Sequence, residues 1–372
     1  MGALSGSHIM VVAAGTGGHV LPGIEFGHAF EAEGARVTYV CGSRPAESRI
    51  YAAAGLSPRV IAWPGSAPTL SAKARRAALL AMAPLRAARL VASLRPDAVL
   101  SMGGGFSAPV LCAAKLLDIP LFLHDSNSVV GRVTRWFAPL AKRTFLGLPV
   151  MEPLPRPALV GTPVRPMPQR APSAAPSIVV MGGSQGARRL NECAFEAAAA
   201  VVAEFPGASV TVLGVKPADR PAALPAGVEA LEYVDNPGAL LARAWVAVTR
   251  SGAGTLAELA ALGVPAVLVP YPHAMDDHQT ANAQAAVAAG GAVLLREAGL
   301  GGSALAQEVL ALLRDPERRA AMGRGVATLH RAESRAAVAA TIAAELRGRT
   351  QRTHRSSTTG TPPILPKGSP SA

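Results

Sequence analysis

The feature that most constrains this chain is a local pattern that appears, breaks off and begins again. The apolar run His8 to Ala14 (HIMVVAA) ends in the loop Gly15-Thr16-Gly17-Gly18-His19. A helical stretch follows over about 22–33 and stops at Gly34, and residues 36–41 (RVTYVC) read as a second strand. A continuous apolar run suits a strand buried on both faces, and glycine lets the turn after it close tightly. Residues 71–94 are helical. Asp97 to Ser101 is a strand entering Met102-Gly103-Gly104-Gly105, a helix follows at about 108–117, and Pro120–His124 is a strand. Strand, glycine loop, helix, strand is the rhythm of a parallel sheet, whose strands can be joined only by long crossovers.

Residues 149–177 interrupt the rhythm with eight prolines between Pro153 and Pro176 and read as the connection between two domains. The rhythm then restarts. Ser177–Met181 is a strand, Gly182 to Gly186 a loop and 187–203 a helix; strands follow at 208–213, 245–249 and 265–269, with a helix at about 253–262. The expected fold is α/β, with two Rossmann-like, doubly wound domains facing a central cleft, where such sheets bind ligands. The expected boundaries are 8–160 and 161–330, with a helix at about 331–347 packing back on the first domain. Residues 350–372, rich in Ser, Thr, Pro and Gly, are expected to be a disordered tail. The length of 372 residues agrees with two domains of about 150 residues each.

Composition narrows the classes. Cys41, Cys112 and Cys193 are odd in number and widely spaced, which excludes a disulfide scaffold and a CxxC metal site and suits a reducing compartment. The richest apolar stretch, 77–94, is broken by Pro84, Arg86 and Arg89, so no run is expected to reach the ~18 residues of a membrane span. The N-terminus shows no signal-peptide pattern, and a cytoplasmic protein is expected. The net charge of +12 is concentrated. Residues 71–95 carry Lys73, Arg75, Arg76, Arg86, Arg89 and Arg95 with no acid; 126–145 carry Arg132, Arg135, Lys142 and Arg143 with no acid; the tail carries three more basic residues. The rest has 23 basic against 24 acidic residues. Charge confined to patches marks a surface for phosphate, nucleic acid or lipid headgroups, and 4% aromatic residues without a recognised motif argue against nucleic acid.

Five loops carry the polar groups. In the first, the dinucleotide pattern GxGxxG fails because position 20 is Val, and the second strand ends in Cys41-Gly42-Ser43 rather than a ribose-binding acid. A glycine loop opening a helix still offers amides and a positive dipole to an anion, and His19 can act as a base near neutral pH. The second is His124-Asp125-Ser126-Asn127 at a strand end, where all four side chains can face a cleft. The third, Gly182 to Arg188, is a second phosphate cradle. The fourth, Arg250 to Glu258, opens a helix with Glu258 one turn in, where a carboxylate can hold both hydroxyls of a ribose or simply answer the helix dipole. The fifth, His273 to Asn282, contains acids and histidines at no standard metal spacing, so no metal site is expected.

Taken together, AGTGGHVLPG (14–23), MGGGFSAP (102–109), HDSN (124–127), GTPVR (161–165), GGSQGARRLN (182–191), SGAGTLAELAALGVPAVLVP (251–270) and DHQTANA (277–283) resemble the MurG family of N-acetylglucosaminyltransferases. The resemblance covers roughly 9–345 with the motifs in order. It implies a GT-B architecture and inverting transfer of GlcNAc from UDP-GlcNAc to the muramyl 4-hydroxyl of lipid I, giving lipid II for peptidoglycan. It implies that Thr16, Gly17 and Gly18 line phosphates, that Asn127 and Gln279 hold sugar hydroxyls, and that Arg165 and Ser184 contact the diphosphate. By the same resemblance the Val234 backbone reads uracil, and Ala253, Gly254, Thr255, Leu256, Ala257 and Glu258 wrap the diphosphate and uridine, with Glu258 on the ribose. No cofactor is implied.

The residues themselves leave the base open between His19 and Asp125. Where the family has an extra glycine this chain has Ala14; His-Glu-Gln-Asn becomes His124-Asp125-Ser126-Asn127, Asn-Pro-Val-Arg becomes Thr162-Pro163-Val164-Arg165, and no basic loop lies near Trp63-Pro64-Gly65. A lipid acceptor also gives segments 71–95 and 126–145 a role as contacts to an anionic membrane, at the cytoplasmic face of the inner membrane and without a spanning segment. Another GT-B enzyme, such as a glycolipid synthase or UDP-GlcNAc epimerase, and a non-catalytic nucleotide-sugar-binding subunit are the alternatives.

Overall fold

The computed structural model describes residues 2–63, 70–183 and 187–358. The first half runs β1 (His8–Val12), α1 (Gly17–Ala32), β2 (Arg36–Cys41), α2 (Pro45–Ala53), β3 (Arg59–Val60), α3 (Leu70–Leu94), β4 (Ala98–Ser101), α4 (Ser107–Leu116), β5 (Leu121–Asp125), α5 (Arg132–Phe137), β6 (Arg143–Leu146) and β7 (Pro157–Leu159). Its seven strands lie in the order 3-2-1-4-5-6-7, every pair parallel. The second half runs β8 (Ser177–Met181), α6 (Arg188–Glu204), β9 (Ser209–Leu213), β10 (Val228–Leu231), α7 (Gly238–Arg243), β11 (Val246–Thr249), α8 (Ala253–Leu262), β12 (Ala266–Leu268), α9 (His278–Ala288), β13 (Ala292–Leu294), α10 (Gly302–Arg314) and α11 (Pro316–Ala327). Its six strands lie in the order 10-9-8-11-12-13, again all parallel. Both sheets are doubly wound, as their rhythm predicts.

Each sheet is covered on both faces, which is why its central strands, β1, β4, β8 and β11, are buried along their whole length or nearly so. In the first sheet Ile9, Val11 and Leu100 pack with Val20, Ile24, Phe26 and Phe30 of α1. Met10, Val12 and Val99 face Ala87 and Val91 of α3 and Val110 and Leu111 of α4. The last helix, α12 (Ser334–Thr358), returns to the first sheet and places Val338, Ala339, Ile342 and Ala343 in the α1 core. Arg335 pairs with Glu25 of α1 at 2.7 Å. Chain crossings between the halves lie side by side. The Gly161 carbonyl accepts from His124 Nε2 at 3.0 Å and from Ser334 Oγ at 3.3 Å.

Several expectations need correction. The first helix begins at Gly17 rather than 22, so the glycine loop is itself the first turn. Glycine has no side chain to carry a helical pattern, and periodicity becomes visible only beyond it. The proline-rich connection holds β7, an edge strand paired to β6, and proline is tolerated at such an edge. Residues 350–358 are not tail but the end of α12; 359–372 lie outside the described residues. The stretch Arg76–Leu94 is long and apolar enough, by length and composition, to cross a membrane. Pro84 and two arginines interrupt the run of apolar residues but neither the helix nor its mean hydropathy. Ala83, Ala87 and Val91 are buried in the domain core, while Leu80, Met82 and Leu85 are exposed.

The close approach of α1 to β1 depends on Gly23, where a Cβ would lie 2.7 Å from Ala13 Cβ and 3.2 Å from Met102 Cγ. Both neighbours are buried and cannot yield. Gly23→Ala is therefore expected to lower unfolding free energy by about 1–3 kcal/mol, read as a lower urea midpoint; an unchanged midpoint counts against this packing.

Candidate active site

In a doubly wound sheet the strand order reverses beside its first strand, and the loops there open a crevice. In the first sheet this point lies between β1 and β4, in the second between β8 and β11. The loop after β1 leads into α1 and the loop after β11 into α8. Neither helix start, Thr16 or Gly252, carries a side-chain cap. First-turn amides and the positive ends of two helix dipoles are thus offered to the cleft. The two starts meet: a Cβ on Gly254 would lie 3.9 Å from Gly18 Cα. Thr16 is exposed, while Gly17, Gly18, Gly254 and Thr255 are partly exposed.

His19 sits in the first turn of α1, and its Nδ1 is buried without a hydrogen-bond partner. Burial lowers its pKa, Asp125 opposes the shift and His278 adds to it. The imidazole is thereby kept neutral and able to accept a proton. Asp125 ends β5, is buried, and accepts from Asn127 N at 3.2 Å and from Gly131 N at 2.9 Å. It orders its own loop as well as facing His19 electrostatically. His124 departs from expectation. It is fully buried with its edge on Phe26, 5.1 Å between ring centroids, and its Nε2 donates to Gly161. Burial pushes its pKa down to about 4. Strand alternation decides this: Asp125 and His124 must point to opposite faces, so both cannot serve one cleft.

Asn127 is joined to the second half through Asn282. Asn282 Nδ2 donates to Asn127 Oδ1 and to the Ser251 carbonyl, each at 3.0 Å, and Asn282 Oδ1 accepts from Ser128 N at 2.8 Å. Asn282 is completely buried, and its place in DHQTANA gives it no role in the sequence pattern. Its signal was its position, one helical turn beyond Gln279. Gln279 Oε1 accepts from Tyr271 N at 3.0 Å, and its carbonyl accepts from Ser251 Oγ at 2.7 Å. Arg250 is buried and donates to the carbonyls of Val269 and Pro270, both at 3.1 Å, while pairing with Glu297. It fixes the strand end from which Tyr271 reaches Gln279.

Glu258 lies one turn into α8, as its spacing predicts, and Arg165 Nη2 pairs with it at 3.4 Å. Burial raises the Glu258 pKa, and Arg165 opposes that shift. Arg165 Nη1 also donates to the Asp235 carbonyl at 3.0 Å, tying the Val234 loop to α8. Ala253 and Leu256 are buried, Leu256 in the core, so only their backbone is free to serve a ligand; Ala257 is half-buried. Ser184 lies outside the described residues. Among the described residues no three His, Cys, Asp or Glu side chains group as a metal site.

The basic segments fare differently. In 126–145 the acids absent from the sequence arrive in space: Arg132 pairs with Asp276 at 3.1 Å, Arg135 with Glu152 at 2.9 Å and Lys142 with Glu345 at 3.8 Å. That segment is largely neutralised and does not form the free cationic surface expected of it. In 71–95, no carboxylate among the described residues pairs with Lys73, Arg76, Arg86 or Arg89. Arg86 and Arg89 line an open groove of about 600 Å³ with Arg59 and Leu90.

The chain is similar to known proteins along most of its length. Residues 9–146 match the glycosyltransferase family 28 N-terminal domain and 177–340 its C-terminal domain. A relative from Halorhodospira halophila, UDP-N-acetylglucosamine--N-acetylmuramyl-(pentapeptide) pyrophosphoryl-undecaprenol N-acetylglucosamine transferase, is 37% identical over 86% of this chain and 94% of its own. The same-named protein of Acidithiobacillus ferrooxidans is 37% identical over 90% and 96%. The crystal structure of Acinetobacter baumannii MurG covers 90% of this chain and 99% of its own, with a TM-score of 0.73 and 26% identity. A putative UDP-N-acetylglucosamine 2-epimerase from Listeria monocytogenes covers 92% and 97%, with a TM-score of 0.68 at 14% identity, and shares the fold alone.

The His124 pKa of about 4 lies below the ~6.5 of an unfolded histidine. The unfolded chain therefore binds the proton first, and stability falls as pH drops from about 6.5 towards 4. His124→Gln should remove roughly 2–3 kcal/mol of that loss, seen as a smaller difference in urea midpoint between pH 7 and pH 4.5. An unchanged difference would locate the acid sensitivity elsewhere.

Proposed function

This chain belongs to the MurG family, the UDP-N-acetylglucosamine--N-acetylmuramyl-(pentapeptide) pyrophosphoryl-undecaprenol N-acetylglucosamine transferases, and on that premise we propose that it moves GlcNAc from UDP-GlcNAc to lipid I. It is a hexosyltransferase of the GT-B fold, and its product is lipid II, the peptidoglycan precursor. The observation that carries the reading is the meeting of two uncapped helix starts, one from each half, with His19, whose pKa burial lowers, in the first turn of one of them.

In this reading the acceptor hydroxyl attacks the anomeric carbon from the face opposite UDP, so the configuration inverts. His19 takes the hydroxyl proton, and Asp125 stabilises the imidazolium that forms. The charge developing on the departing diphosphate falls on the first-turn amides of α8, from Ala253 to Ala257, and on Arg165 and Ser184. Thr16, Gly17 and Gly18 face the phosphates from the other side. Glu258 holds the ribose hydroxyls, the Val234 backbone reads the uracil, and Asn127 and Gln279 hold sugar hydroxyls. Arg165 joins Glu258 to the Val234 loop, so that uracil and ribose are read by one connected unit. The first half is the acceptor side and the second the UDP-GlcNAc side.

Lipid I is membrane-bound, and α3 is the docking element. Its exposed Leu80, Met82 and Leu85 lie among basic residues, as in helices that rest in a lipid interface. The enzyme accordingly works as a peripheral protein at the cytoplasmic face of the inner membrane.

The wild-type chain should transfer GlcNAc to a lipid I analogue, with or without EDTA. His19→Ala should lower turnover by about 10²–10⁴ with little change in UDP-GlcNAc affinity. Near-normal turnover in that variant sinks the assignment of the base, and transfer to diacylglycerol instead of lipid I sinks the acceptor. Reversing the charge at Arg75, Arg76, Arg86 and Arg89 should weaken sedimentation with anionic vesicles, each residue contributing ~1 kcal/mol. Unchanged sedimentation would remove α3 from the membrane contact.

A further inference from the structure

The helix α2 lies outside every motif, yet three of its side chains reach the first glycine loop. Glu47 and Tyr51 stand four residues apart, on one face of the helix, and both are buried. Glu47 Oε1 accepts from the Gly15 amide at 2.8 Å, and Tyr51 Oη donates to the Ala13 carbonyl at 3.0 Å. Ile50 lies against the next turn, where a Cβ on Gly17 would be 3.8 Å from its Cδ1. Two hydrogen bonds therefore grip the backbone on either side of Ala14. Gly15 itself has φ of 103°, a conformation other residues rarely adopt, so the loop needs holding.

Placing a carboxylate there is costly. Glu47 Oε2 is buried with no hydrogen-bond partner, and burial raises the Glu47 pKa against the pull of the Gly15 and Gly42 amides and Arg44. A hydrophobic side chain would fill the space at less expense. What the carboxylate adds is a fixed acceptor for the Gly15 amide. That amide sets the loop, the Thr16 carbonyl takes the His19 amide at 3.0 Å, and a Gly15 Cβ would sit 3.9 Å from His19 Nδ1.

We propose that Glu47 and Tyr51 are positioning residues that hold the first glycine loop by its backbone, and so set His19 and the start of α1 before any ligand arrives. The proposal rests on the reading of His19 as the base. It supplies preorganisation, which is lost when a catalytic group drifts by as little as an ångström.

The test uses the full chain with Glu47→Ala, Glu47→Gln and Tyr51→Phe. Glu47→Ala should lower kcat by about 10- to 100-fold while KM for UDP-GlcNAc moves little. Glu47→Gln keeps an oxygen for the Gly15 amide and should restore most of kcat. Tyr51→Phe, which keeps the packing should Glu47→Ala fail to fold, should lower kcat in the same direction without raising KM. Hydrogen exchange across residues 13–20, measured without substrate, should quicken in Glu47→Ala and Tyr51→Phe but not in Glu47→Gln. Wild-type kcat in Tyr51→Phe and Glu47→Ala, or equal loss in Glu47→Gln and Glu47→Ala, would overturn the proposal. A wild-type chain without transfer would instead overturn the glycosyltransferase reading, and the exchange measurement would still decide whether the clamp exists.

Discussion

A parallel strand has to be followed by a helix that starts where the strand ends, and most of this molecule follows from that requirement. Every strand of both sheets is parallel, so every helix start in a crossover lies at the carboxyl edge of its sheet. Setting two such edges towards one another brings partial positive charges together without a single lysine. Backbone dipoles cannot be titrated and need no side-chain ordering, so they suit a leaving group whose charge appears only during reaction.

The two halves are also joined chemically across the cleft. Asn282 meets Asn127, Ser128 and Ser251 at once, using both ends of its amide. An amide buried in this way is fully satisfied only while both halves are in place, since its partners come from β5's loop on one side and β11's on the other. The Arg165–Glu258 pair does the equivalent within the second half. Polar groups at the centre thus register one loop against another, while the apolar clusters behind them supply the bulk of stability.

Much of the fold was legible because its strands are short, continuous apolar runs separated by glycine. The order of elements around Gly15, Gly103, Gly182 and Gly252 follows directly from the chain. What escaped was whatever depends on contact between distant segments. β7 hides among prolines because edge strands need few donors. Leu256 reads as part of a ligand loop, yet its side chain turns into the core. His124 and Asp125 are neighbours in sequence and opposites in the sheet. The segment 126–145 is free of acids along the chain but not in space, since Asp276, Glu152 and Glu345 come from elsewhere. Glu47 and Tyr51 gave no signal, because a hydrogen bond to a backbone amide requires no motif.

The shared carbonyl at Gly161 has a mechanical consequence. The chain leaves the first half there and returns to it at Ser334, and a Cβ on Gly161 would lie 2.8 Å from Arg331 Cβ. Two covalent tethers that close together act as one hinge post rather than as two separate anchors. Any change in the angle between the halves must be taken up within these few residues, and the start of α8 lies beside them, where Ala253 and Leu256 share one small space with Thr162 and His330.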